Sequence, residues 1–79
     1  MHNFPDLESA KIRGLLEAVQ DPEEKIVKDQ GVDYVGKDLL NYLEIHGYIS
    51  FKYSRSYSRY LIQITERGKK LLSELITNT

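Results

Sequence analysis

Apolar residues at Leu7, Ile12, Leu15, Leu16 and Val19 recur at helical spacing and predict a first helix from about Asp6 to Gln20. Asp21-Pro22-Glu23-Glu24 follows, with Asp21 as a helix cap, Pro22 at the first helical position and Glu24 as a carboxylate reaching back. This predicts a second helix of about two turns that turns Ile26 and Val27 inward and stops before Gly31. Asp33 then caps a third helix over roughly Tyr34 to His46, with Leu39, Leu40 and Leu43 on its buried side and Gly47 at its end.

After Gly47 the period changes from helical to alternating. Ile49, Phe51 and Tyr53 point one way with Ser50 and Lys52 the other; on the return Tyr60, Ile62 and Ile64 face in, Leu61 and Gln63 out. The pattern is an antiparallel hairpin with a tip near 54–58. Thr65 caps a last helix, along which Gly68, Leu71, Leu72, Leu75 and Ile76 form one stripe. The chain therefore reads as α+β, mostly helical: three helices, a β-hairpin and a C-terminal helix.

The 79 residues make a single domain, 1–79, with no repeat or linker. Such a chain buries about 60% of the surface its unfolded form exposes, so its core is small. With no cysteine there is no disulfide framework or thiolate metal site, which fits a cytoplasmic protein. No apolar run is long enough to span a membrane, and no signal pattern opens the chain. The net charge of −1 hides an asymmetry. Residues 1–34 carry four basic residues against eight acids, a net of −4, whereas residues 35–79 carry seven against four, a net of +3. Between Glu44 and Glu66 there is no acid, which suggests two faces with different partners.

Catalysis finds little support. His2 and His46 are the only histidines, and His46 at a helix end is explained by the helix dipole. There is no Ser-His-acid spacing, phosphate-binding glycine loop or metal-ligand cluster, so neither enzyme, cofactor nor metal is expected.

"GVD" at 31–33, "LEIHGYI" at 43–49, the basic hairpin and "ITERGKKLL" at 64–72 together resemble the winged helix-turn-helix family, especially small MarR-like and PadR-like transcriptional regulators. Leu43, Glu44, Gly47, Tyr48 and Ile49 match the family's pattern at the end of the third helix; Ile64, Thr65 and Gly68 match its exit from the wing. Gly31 is then the reversal between two helices and Val32 the plug of the gap between them. No residues between Gln20 and Pro22 read as the short first strand that many winged helices add.

The resemblance implies a homodimeric regulator of double-stranded DNA. Its reading helix would present Tyr34, Val35, Lys37, Asp38, Asn41 and Tyr42 to base edges in the major groove. Its wing would place Lys52, Ser54, Arg55, Ser56, Tyr57, Ser58 and Arg59 on the phosphate backbone. The apolar stripe of the last helix, Leu71, Leu72, Leu75 and Ile76, is the expected dimer interface. Other readings remain open. The wing also fits a solubilising loop, the third helix a solvated face, and the whole domain a protein–protein module, which the acidic N-terminal half and Asp38 favour; RNA binding is a further, minor reading, since the Tyr/Arg tip suits unpaired bases.

Overall fold

Ile12, Leu15, Leu16 and Val19 form the buried stripe of α1 (Asp6–Gln20), whose limits match the prediction. The computed structural model describes residues 6–21 and 23–77, so the roles expected of His2 and Pro22 fall outside the described residues. Leu7 does not belong to the stripe: at 69% exposure it faces solvent. Five residues turn a helix through about 140° beyond a full turn, which takes Leu7 away from the face of Ile12.

The second helix is displaced from its expected position. Asp21 caps a turn, its carboxylate accepting the Glu23 N–H at 2.9 Å and its carbonyl the Glu24 N–H at 3.1 Å. The chain then runs extended, and α2 forms only at Lys28–Val35. Val27 makes an antiparallel bridge with Leu61, and the Ile62 N–H donates to the Ile26 carbonyl at 2.8 Å. Ile26 is buried all the same, as part of this strand-like segment. At the start of α2 the Gln30 side-chain oxygen accepts the Val27 N–H at 3.0 Å, supplying the cap expected of Glu24.

Gly31 is therefore not a turn. It lies buried inside α2, and a Cβ there would meet Ile62 Cδ1 and Leu40 Cδ1. Val32 is 38% exposed and stands inside α2 rather than at a gap between two helices. The reversal is at Gly36, whose φ of 83° and ψ of 160° only glycine adopts readily. Open space surrounds the position of a Gly36 Cβ, so glycine is needed there for its backbone alone. Beyond it α3 runs over Lys37–Ile45 with Leu40 and Leu43 buried. The helix ends in a Schellman motif: the Tyr48 N–H donates to Leu43 carbonyl at 2.9 Å, the Gly47 N–H to Glu44 carbonyl at 3.1 Å, and Gly47 has φ 80°.

β1 (Ile49–Ser54) and β2 (Arg59–Ile64) pair antiparallel, from Ile49 opposite Ile64 to Ser54 opposite Arg59. The 26–27 segment lies on the far side of β2, so β2 is flanked on both edges at its inner end. α4 (Glu66–Thr77) starts on Thr65, whose hydroxyl accepts the Gly68 N–H at 3.0 Å and donates to the Gly47 carbonyl. Gly68 allows a close approach to the hairpin, since a Cβ there would collide with the Tyr48 carbonyl.

α1 packs on both α2 and α4, and this covers the α4 stripe. Leu71, Leu72 and Leu75 are buried in the chain's own core and offer no free surface to a second copy, whereas Ile76 is 45% exposed. The domain therefore closes its own core where a partner was expected to do so. Among the described residues no polar side chain is buried, and no helix is long and apolar enough to cross a membrane.

Candidate nucleic-acid interface

Two elements hold the residues with binding chemistry, the exposed side of α3 and the hairpin. Leu40 and Leu43 anchor α3 to the core, leaving Lys37, Asp38, Asn41 and Tyr42 exposed over its first two turns. Asn41 offers a donor–acceptor pair of the kind that matches adenine, and Lys37 a cation for guanine or phosphate. The Tyr42 ring lies 4.1 Å from the His46 ring. Ile45, 75% exposed on the next turn, extends this face; it lies about 140° from Leu40 and 200° from Leu43 around the helix, off the buried stripe.

Tyr34 and Val35 do not join that face. Both belong to α2, since the helix break falls at Gly36 rather than Asp33. Val35 is 6% exposed and packs in the core, so it cannot touch a base without unfolding the domain. Tyr34 leans toward α1, its Cδ1 4.0 Å from the position of a Gly14 Cβ.

The hairpin tip is a turn over 55–58, in which the Ser58 N–H donates to the Arg55 carbonyl at 3.3 Å. Ser58 takes φ 53°, a left-handed conformation unusual for a residue with a Cβ. The Ser54 hydroxyl accepts the Tyr57 N–H at 3.4 Å, so it serves the turn. Ser56, Tyr57 and Ser58 are exposed at the tip. Alternation puts Lys52, Ser54 and Arg59 on the outer side of the hairpin.

The cations differ in their surroundings. Lys52 and Arg55 are exposed with no acidic partner among the described residues. Arg59 Nη1 lies 3.4 Å from Asp29 Oδ2 at the start of α2, an ion pair with both side chains mostly in solvent. Sequence reasoning missed this contact, because it depends on where α2 begins. Lys28, beside Asp29, lies over the Phe51 ring at 4.6 Å from its centroid. Val27, Lys28, Asp29, Arg59 and Tyr60 border a shallow groove of about 190 Å³ between α2 and β2.

Tyr53 and Tyr60, expected to be partly buried in the sheet, are instead 53% and 52% exposed. They face each other across the strands, edge to face, with ring centroids 5.3 Å apart. Their side of the hairpin is the core side, yet the hairpin has already passed the edge of the domain at this level. No cluster of side chains fit to hold a metal occurs among the described residues. No family model, curated protein or solved structure matches the chain.

Proposed function

We propose that this chain is a winged helix-turn-helix protein that binds double-stranded DNA as a transcriptional regulator. In this reading α3 enters the major groove with Lys37, Asp38, Asn41 and Tyr42, and the hairpin is a wing lying along the phosphate backbone. One observation carries it: a projecting hairpin holds Lys52, Arg55 and Arg59 in a stretch of sequence free of acids, beside a helix that exposes Lys37, Asp38, Asn41 and Tyr42. The strand-like pairing of Val27 with Leu61 supports the same reading, because it ties α2 to the wing sheet.

A regulator of this kind would act as a homodimer on two half-sites. Leu71, Leu72 and Leu75 are unavailable to such a contact, so it would draw on the exposed Leu7 and Ile76. Sedimentation as a monomer at micromolar concentrations rejects the dimer without touching the DNA reading.

Asp29 against Arg59 and the exposed Asp38 favour a second reading, a winged helix that docks on another protein. Electrophoretic shift of random duplex DNA under salt titration separates the two. Phosphate contacts make the affinity fall steeply as salt rises. Absence of any shift at low salt leaves the protein-docking reading.

A further inference from the structure

The Tyr53–Tyr60 pair is poorly explained by packing. Along the core side of the hairpin, successive cross-strand pairs run from Ile49–Ile64 through Phe51–Ile62 to Tyr53–Tyr60. Exposure rises from 1% at Ile49 and 5% at Ile62 to more than half at the two tyrosines. The tyrosines thus extend an apolar row beyond the body it covers. An edge-to-face pair shields one ring face and leaves other ring surface open to solvent.

The setting is cationic. Lys28 stands over Phe51, one cross-strand pair inward on the same side. Arg55 begins the turn just past the tyrosines, and Asp29 is paired with Arg59, while Asp21 and Glu24 lie against the far end of β2. Exposed aromatic surface between cations is the combination that holds single-stranded nucleic acid: rings stack on bases while the cations follow the phosphates. Paired bases inside a duplex present only their edges, so a ring face finds a stacking partner at an unpaired base or on the open face of an end pair.

We infer that Tyr53 and Tyr60 form a stacking platform for an unpaired DNA base, directing the protein to duplex ends that carry a single-stranded extension. This inference rests on the DNA-binding reading and adds a second type of contact to it. Lys28 and Arg55 hold the phosphates on either side of the stacked base.

The test compares three labelled probes by fluorescence anisotropy: a blunt duplex, the same duplex with a short oligothymidylate overhang, and the same duplex with an overhang of abasic sites. The expected order is the thymidylate overhang at least about tenfold tighter than the blunt duplex, with the abasic overhang close to blunt. Tyr53→Phe with Tyr60→Phe keeps the gain, and Tyr53→Val with Tyr60→Val abolishes it while blunt binding stays. Equal affinity for all three probes overturns the platform and leaves the duplex reading intact. Equal gain from thymidylate and abasic overhangs also overturns it, since phosphates alone then explain the gain. Absence of binding to every probe removes both readings together. The probe comparison needs no variant, so it decides the matter even if the valine variant fails to fold.

Discussion

Gly31 on α2 and Ile62 on β2 are in such close contact that the Ile62 Cδ1 methyl occupies the place of a Gly31 side chain. Helix and hairpin thereby share one packing surface, and their relative placement depends on a missing methyl. Gly68 does the same for α4, but against the Tyr48 carbonyl, which is backbone. The difference sets their mutational costs. Gly68→Ala forces main chain to move and should destabilise by about 3 kcal/mol. Gly31→Ala meets side-chain tips that can rotate and gains about 1 kcal/mol of helix propensity, so its net loss should be clearly smaller. Urea unfolding of the two variants checks the order.

At the hairpin tip, Ser58 with φ 53° carries a backbone cost that glycine would not. Ser58→Gly should raise stability by up to about 1 kcal/mol, reduced by the entropy glycine adds to the unfolded chain. Ser58→Val should lower it, since a β-branched residue tolerates that region poorly. Thermal unfolding of both variants reads the two signs.

For duplex binding, the cations should separate by their surroundings. Arg55→Ala with Arg59→Ala should weaken every sequence alike and flatten the plot of log affinity against log salt by up to about 2. Asp29→Asn should act in reverse, releasing Arg59 for phosphate and tightening duplex binding. An unchanged slope in the double arginine variant makes the hairpin a solubilising loop.

Asn41 and Val35 test where reading ends and support begins. Asn41→Ala should change preference among duplex sequences by about 1–3 kcal/mol and leave the salt slope in place. Val35→Ala should cost stability instead, on the order of 1–3 kcal/mol, because it empties a core position. Altered sequence preference in a fully stable Val35→Ala protein would contradict its burial.

The local signals in the sequence and the structure agree closely. The stripe read from Leu7 to Val19 fits the limits of α1, although Leu7 itself faces solvent; alternation from Ile49 to Ile64 fits both strands and their register; Gly47 and Thr65 cap the helices they were expected to cap. Each is read within a few residues, where periodicity and capping chemistry suffice. The start of α2 is different. Asp21-Pro22-Glu23-Glu24 has the pattern of a helix start, yet the Asp21 carboxylate is as well used in a turn, and pairing of 26–27 with β2 decides between the two. That pairing moves α2 down the chain, puts Gly31 inside it, brings Val35 into the core and sets Asp29 beside Arg59. The covering of the α4 stripe by α1 is decided in the same way. The sequence by itself determined the periodic elements and the cationic hairpin. The tertiary structure decided which residues remain on the surface, because hydrogen bonds and burial between distant segments outweigh a local preference worth only about 1 kcal/mol.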